Sequence, residues 1–257
     1  MLSSDPDRYT LDEANVFPCA IGRSFYEQVL PPESVHIGWS SYAAVWLRRA
    51  PCLIPGHFFP PLATGAVRSA FERQAAEDWM TFLSLRVSEM RPGARLVIVL
   101  PALPEDGRGG FAGMMNHANA VLAEMVDEGA ITAEERAHMV LGVYARRKDE
   151  LLAPFKMEGR FRGLTVEDCD ISVLPDTVWA DYQRTGDKEA IARKHALFFR
   201  AVFMPSLAFA LPRVQRGDSE ALHSFADRLQ DGLVRRLTAE PNPTDMLVQT
   251  IVLAKSE

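Results

Sequence analysis

Residues 34–41 of this chain are Ser34-Val35-His36-Ile37-Gly38-Trp39-Ser40-Ser41, in which large apolar side chains alternate with small or polar ones. The period of two places Val35, Ile37 and Trp39 on one face, which is typical of a strand with one buried side. We therefore predict a half-buried β-strand that has Ser40 and Ser41 at its carboxyl end.

The flanking segments predict an alternation of strands and helices. A short helix is expected from about 42 to 49, because Pro51 disfavours its continuation. Residues 66–90 have apolar side chains three and four positions apart, as in a long helix with one apolar face. The run Arg95-Leu96-Val97-Ile98-Val99-Leu100 indicates a strand covered on both faces. Together these patterns predict an α/β sheet.

The chain after Gly107 is predicted to be mostly helical. Thr132 and Glu135 form a capping-box pattern for a helix that runs toward Leu152. Further elements are predicted as a strand over 166–174, helices over 188–203 and 219–237, and a final strand over 246–254. We predict a partial α/β sheet region over 1–106, a mainly helical cap over 107–214, and a helix and strand returning to the sheet over 215–257.

Composition limits the classes of function. The chain has 257 residues, 47% of them hydrophobic and 24% charged, as in ordinary globular proteins. Its net charge of -6 argues against nucleic acid as a partner. No apolar run reaches membrane-spanning length, and no secretory signal pattern is present, so we expect a cytoplasmic protein with no membrane partner. Three cysteines without paired spacing predict neither a disulfide framework nor a metal site.

Tyr42 and Trp46 follow the predicted strand and would share one face of the predicted helix. Together with Ser40 and Ser41 they would gather hydroxyl groups, a phenol and an indole N–H around one spot. Indole only donates hydrogen bonds, so the group suits an acceptor such as a carboxylate. The alternative is that both aromatic residues pack the helix onto the sheet.

Several segments in order resemble the SABATH family of S-adenosylmethionine-dependent carboxyl methyltransferases, in a bacterial-type form. The resemblance rests on Arg23-Ser24-Phe25-Tyr26 before Pro31, on Ser34-Val35-His36, on Ser40-Ser41-Tyr42 and on Trp46-Leu47. It extends through Phe82-Leu83, Arg86, Glu89-Met90 and Pro92-Gly93 to the strand at 95–100.

This resemblance implies a class I methyltransferase fold, a Rossmann-like sheet with a helical cap. Ser24 and Phe25 would contact the adenosyl part of S-adenosylmethionine, and Ser40, Ser41 and Tyr42 would line the junction between cofactor and substrate. Trp46 would donate its N–H to the carboxylate of a small organic acid. The resemblance also favours a homodimer. The sequence has no metal-ligand spacing, so no metal site is predicted from it.

The sequence departs from the family in two respects. Trp39 stands where plant members often have histidine, and Val45 stands where they often have histidine or methionine. Val45 affects the shape expected for the acyl pocket but not the type of reaction. The family's glycine-rich cofactor loop has no counterpart before Ser24. We therefore expect N-terminal strands to be missing, with Met1 an internal methionine or the gene split or decayed.

Two other functions were considered. A catalytically silent homologue would keep the acyl pocket and bind small acids or a partner. The pattern Gly107-x-Gly109-x-x-Ala112 formally fits a dinucleotide fingerprint, and hence an oxidoreductase, but six residues separate it from the preceding strand. Met114, Met115, Phe198, Phe199, Phe203 and Met204 are candidates for the pocket wall, with ordinary helix packing as the alternative.

Overall fold

A computed structural model of the chain describes residues 17, 19–103, 110–244 and 246–256. Within these ranges the sheet has five strands, and the helices differ widely in length. The strands are β1 (Val35–Ser41), β2 (Met90–Pro101), β3 (Arg160–Phe161), β4 (Leu164–Leu174) and β5 (Met246–Lys255). The helices are α1 (Gly65–Glu89), α2 (Ala112–Asp127), α3 (Ala133–His138), α4 (Lys148–Leu151), α5 (Thr177–Thr185), α6 (Lys188–Val202), α7 (Met204–Ala208), α8 (Pro212–Gln215) and α9 (Ser219–Ala239).

The sheet is mixed, with the order β1-β2-β5-β4-β3 among the described strands. β1 and β2 are parallel, and β5, β4 and β3 follow as antiparallel neighbours. Because β1 and β2 run in the same direction, their carboxyl ends meet at one edge of the sheet. That edge is where α/β folds commonly bind ligands.

Helix α1 covers one face of the sheet. Trp79, Phe82 and Leu83 are buried on α1 and pack with Leu96 and Ile98 of β2. Apolar residues at spacings of three and four therefore form a helix face, as the sequence predicted.

The second apolar core lies between helices. Its members come chiefly from α2, α6, α7 and α9, with Leu122, Phe199 and Leu229 fully buried. None of the helices within the described ranges is long and apolar enough to cross a membrane.

The prediction of a half-buried β1 is wrong for Ile37 and Trp39, whereas Val35 is half-buried and packs on the core. Ile37 and Trp39 are 75% and 71% exposed. Gly38 is on the opposite, covered face, where an added Cβ would lie 2.8 Å from Leu96 Cδ1. A register shift between Val35 and Ile37 interrupts the alternation, so Val35 packs on the core while Ile37 and Trp39 are exposed.

Two predicted helices also differ from the structure. Residues 42–49 form turns and no helix. The helix that begins after Thr132 has the predicted capping box, yet it ends at His138 and does not reach Leu152. The two segments pair with each other instead: Val143 forms an antiparallel bridge with Trp46, and Leu47 N–H donates to the Gly142 carbonyl at 2.7 Å. Residues 104–109, which include Gly107 and Gly109 of the dinucleotide-like pattern, lie outside the described residues.

Candidate functional site

A cavity of about 410 Å³ opens at the carboxyl ends of β1 and β2. Tyr42 follows β1, and Pro101 and Ala102 stand at the end of β2. The opposite wall comes from Phe198 and the residues after it at the end of α6. Sixteen described residues line the cavity: Tyr42, Val45, Trp46, Phe59, Pro61, Pro101, Ala102, Gly110, Phe111, Val143, Ala145, Leu174, Phe198, Val202, Phe203 and Met246.

Tyr42 has a backbone conformation that few side chains of its size adopt. Its φ is +57°, in the left-handed region, and its N–H donates to the Val99 carbonyl at 2.9 Å. This conformation breaks the strand direction immediately after Ser41 and ends β1 beside the cavity. Non-glycine residues in this region cluster at functional sites, where the surrounding structure offsets the strain.

Burial raises the pKa of the Tyr42 hydroxyl above its ordinary value. The phenol is therefore protonated at neutral pH and can donate a hydrogen bond. Within the described residues, neither this hydroxyl nor the indole N–H of Trp46 has a hydrogen-bond partner. Both donors belong to residues that line the cavity.

The loop that carries Trp46 is held at several backbone groups by the residues beneath it. The Tyr26 hydroxyl donates to the Trp46 carbonyl at 2.6 Å, and Arg146 donates to the Ala44 carbonyl at 2.6 Å. Asp78, which is fully buried, accepts from Arg48 N–H at 2.8 Å and from Arg48 Nε at 2.6 Å. These bonds fix the position of Trp46 relative to the sheet.

The Tyr26 hydroxyl donates its hydrogen bond to the Trp46 carbonyl over a wide pH range. Burial, as the largest effect, raises the pKa of its phenol to about 12, with nearby Asp78 acting in the same direction and Arg146 opposing it. The hydroxyl therefore stays protonated across the neutral range. Sequence analysis missed Tyr26 and Arg146 as site-building residues, because their partners are 20 and 102 positions away along the chain.

The predicted residues Ser24 and Phe25 lie on the sheet side of this loop and do not line the cavity. Ser24 is exposed, and its Oγ accepts from Tyr26 N–H at 3.2 Å. The Phe25 ring is half-buried, with centroids 4.6 Å from Tyr26 and 6.4 Å from Phe82. Arg86 donates to the Phe25 carbonyl at 2.8 Å, so α1 anchors the segment.

Ser40 and Ser41 end β1, paired with Ile98 and Val99. Ser40 is half-buried, Ser41 is exposed, and neither lines the cavity. Of the six predicted site residues, the structure thus brings Tyr42 and Trp46 together around one space.

Only part of the predicted pocket wall is found there. Phe198 and Phe203 line the cavity. Met114, Met115, Phe199 and Met204 are instead buried in the core between helices. For these four, the alternative of ordinary helix packing was the better prediction.

Comparison with known proteins places these features in context. The profile of the family described as "SAM dependent carboxyl methyltransferase" matches residues 2–255. Anthranilate O-methyltransferase 1 of Zea mays is 27% identical over 172 residues, which cover 62% of this chain and 44% of that protein. Salicylate carboxymethyltransferase of Clarkia breweri is 26% identical over 170 residues, covering 64% of this chain and 46% of its own length. In these two alignments, the chain spans somewhat less than half the length of the relative.

The fold has a counterpart among solved structures. A loganic acid methyltransferase bound to SAH superposes with a TM-score of 0.68 and 20% sequence identity, covering 99% of this chain and 69% of the other. The likeness shows a shared α/β fold, that of the class I methyltransferases.

Proposed function

The chain belongs to the family of S-adenosylmethionine-dependent carboxyl methyltransferases, and from this premise we propose that it transfers the methyl group of S-adenosylmethionine to the carboxylate of a small organic acid. The observation that carries the proposal is the cavity beyond β1 and β2. There Tyr42 and Trp46, whose donors have no partner among the described residues, belong to a wall whose described part is otherwise apolar. A carboxylate is an acceptor, and an apolar wall suits the body of an organic acid.

In this proposal Trp46 donates its indole N–H to a carboxylate oxygen, and Tyr42 contacts both ligands. A hydrogen bond to a charged group contributes about 1.5–3 kcal/mol, roughly twice that of a neutral pair. The aromatic ring of Tyr42 also suits a cationic sulfonium, since cations are attracted to ring faces.

In this proposal the cofactor lies at the edge of the sheet beside the cavity. Ser24 and Ser41 are exposed, the Ser24 hydroxyl oxygen already accepts from Tyr26 N–H, and the Phe25 ring is half-buried. We propose that Ser24, Phe25, Ser40, Ser41 and Tyr42 contact S-adenosylmethionine. When bound, that cofactor supplies an electrophilic methyl group on sulfur.

The reaction then needs positioning and no general base. Carboxylic acids with a pKa near 4 are already ionised at neutral pH. The ionised acid would bring the electron pair for the new O–C bond, and S-adenosylhomocysteine would leave with the electron pair of the C–S bond. The residues of the chain hold the oxygen in line and exclude water, a contribution that reaches about 7–11 kcal/mol in well-oriented reactions.

Binding and transfer are tested separately on the purified chain. Calorimetric titration with S-adenosylhomocysteine measures cofactor binding, and release of radiolabelled methyl esters from a panel of acids measures transfer. Micromolar binding together with ester formation supports the proposal. If neither S-adenosylhomocysteine nor any acid binds, the proposal fails.

Three further points belong to the proposal. Exposed Ile37 and Trp39 on an edge strand support a homodimer, since apolar strand edges tend to pair. The chain's net charge of -6 supports the absence of a nucleic-acid partner. A cytoplasmic location and the absence of a membrane partner stay predictions from the sequence.

A further inference from the structure

The described wall of the cavity is almost entirely apolar. Apart from the Tyr42 hydroxyl and the Trp46 N–H, every side chain that lines it is aliphatic or aromatic. No lysine, arginine, aspartate, glutamate, asparagine or glutamine contributes a side chain to its described part.

Aromatic rings form one continuous side of the cavity from Trp46 to the mouth. Trp46 and Phe203 have ring centroids 6.4 Å apart, and Phe203 meets Phe198 edge-on at 5.8 Å. Phe198 stacks on Phe111 at 5.4 Å and is 41% exposed, which places it at the mouth. A ligand whose carboxylate reaches Trp46 therefore lies along phenyl faces and edges for the rest of its length.

Several backbone polar groups of this wall already have partners. Ala102 N–H donates to the Leu247 carbonyl at 2.8 Å, and the Val45 carbonyl accepts from Tyr144 N–H at 2.9 Å. Phe203 N–H donates to the Phe199 carbonyl at 2.9 Å. A hydroxyl or amino group on the body of a ligand would therefore lose its water and find neither a free N–H nor an unbonded carbonyl among these groups, which is unfavourable.

We propose, on the basis of the function proposed above, that the substrate is an apolar monocarboxylic acid whose body carries no hydroxyl, amino or second carboxylate group. The cavity sets its size. At about 30 Å³ for each water-sized group, 410 Å³ holds roughly 14 non-hydrogen atoms, carboxylate included.

The test uses three acids of matched shape: 3-phenylpropanoate, its 4-methyl derivative and its 4-hydroxy derivative. Their dissociation constants are measured by calorimetry with the chain saturated in S-adenosylhomocysteine. The methyl derivative is expected to bind about fourfold tighter than the parent acid, from the burial of one more carbon. The hydroxy derivative is expected to bind roughly 10- to 100-fold weaker than the methyl derivative, the range in which an apolar pocket rejects an added hydroxyl. Equal or tighter binding of the hydroxy derivative overturns the inference.

The Val143→Thr variant tests whether the cavity wall causes the preference for the methyl derivative over the hydroxy derivative. Val143 is buried and lines the cavity, and Val143→Thr replaces one methyl group by a hydroxyl at nearly constant volume. This change is expected to reduce the methyl-to-hydroxy affinity ratio at least about threefold by offering a partner to the ligand hydroxyl. Val126→Thr is the matched control, since Val126 packs on the helical core away from the cavity. An unchanged ratio in Val143→Thr would place the discrimination elsewhere and overturn the inference.

The outcomes separate this inference from the proposed function. If all three acids bind with similar affinity, or are esterified at similar rates, the proposed function stands and the apolar preference fails. If no acid binds to the chain loaded with S-adenosylhomocysteine, the proposed function itself fails.

Discussion

At the scale of a single residue, replacing Trp46 tests whether its indole N–H binds the carboxylate. Trp46→Phe keeps an aromatic ring in the cavity but removes the indole donor. Because a hydrogen bond to a charged group contributes about 1.5–3 kcal/mol, we expect acid affinity to fall roughly 10- to 150-fold. Calorimetry with the acid, in the presence of S-adenosylhomocysteine, measures the change.

The control for this prediction is Trp179→Phe. Trp179 packs against Tyr182 on α5, with ring centroids 5.0 Å apart, and is absent from the cavity wall. Its replacement should leave acid affinity unchanged, and neither variant should alter the affinity for S-adenosylhomocysteine. Acid affinity that is equal in Trp46→Phe and the parent protein would rule out the indole as the carboxylate donor.

The sequence predicted that Tyr42 and Trp46 lie close together, but it predicted this from a helix that the structure does not have. Their spacing of four would align them on a helix face. In the structure a left-handed Tyr42 and the pairing of residues 45–47 with 142–144 bring them together instead. Local spacing cannot reveal that pairing, because its partners are about 97 positions apart.

At the scale of elements, Tyr26 holds the loop from Tyr42 to Arg48 through the hydrogen bond from its hydroxyl to the Trp46 carbonyl. Tyr26→Phe removes the donor to the Trp46 carbonyl and leaves that carbonyl unpaired. We expect the free energy of unfolding to fall by about 1–3 kcal/mol and acid affinity to fall with it, because Trp46 is no longer held. Denaturant unfolding and calorimetry measure the two effects. Tyr182→Phe on α5 is the control, and an effect on stability with none on acid affinity would contradict a positioning role for Tyr26.

The contact between α2 and α9 gives a second prediction at the scale of elements. Gly232 lies within α9, where an added Cβ would collide with the side chain of Val121 on α2. In an exposed helix, glycine to alanine stabilises by about 1 kcal/mol. Here we expect Gly232→Ala to destabilise by about 1–3 kcal/mol, because overpacking outweighs helix propensity.

A double-mutant cycle identifies the cause of that loss. Val121→Ala removes the colliding methyl groups, so the double variant should be less destabilised than the sum of the single variants predicts. Thermal unfolding measures all four proteins. Additive losses would show that Gly232 is required for a reason other than Val121.

Local signals predicted the start of the helix after Thr132 better than its end. Thr132 and Glu135 form the predicted capping box, since both partners lie within four residues. The end of that helix at His138 depends on the pairing of the following segment with residues 46–47, which is not local. α1, α6 and α9 were predicted nearly to their ends because their apolar faces repeat along the whole helix.

At the scale of the whole molecule, the elements packed on each face of the sheet decide which apolar residues are covered. β1 is at an edge of the described sheet, and no described element covers the exposed side chains of Ile37 and Trp39. An alternating pattern predicts that a strand has two unlike faces, but not which neighbour covers which face. The strands and their alternation with helices could thus be predicted from the sequence, whereas the covered face of β1 could not.

Two connections between the sheet and the helices meet at Asp176, between β4 and α5. Its Oδ1 caps α5 by accepting from Trp179 N–H at 2.8 Å. Its Oδ2 accepts from the N–H and hydroxyl of Thr244, at 2.7 and 2.9 Å, in the connection from α9 to β5. Burial alone would raise the pKa of this carboxyl, but the bonds from Thr244 and Trp179 lower it below its usual value, and nearby His195 acts in the same direction.

Asp176→Asn separates these two roles, because the amide oxygen can still accept from Trp179 while the amide nitrogen cannot accept from Thr244. We expect a loss of about 1–3 kcal/mol in the free energy of unfolding at pH 7. A depressed pKa in the folded state means that the carboxylate stabilises the fold above about pH 4, the ordinary value for aspartate, and that this contribution is lost as pH falls through the lower folded value. The difference in the free energy of unfolding between the parent protein and Asp176→Asn should therefore narrow below about pH 4.

Urea unfolding of both proteins from pH 3 to 7 measures this difference, and both proteins retain His195. Asp187→Asn, which changes an N-cap that bonds within its own helix, is the control and should cost less. A difference between parent and Asp176→Asn that is constant across this range would show that the charge of Asp176 does not join the two connections.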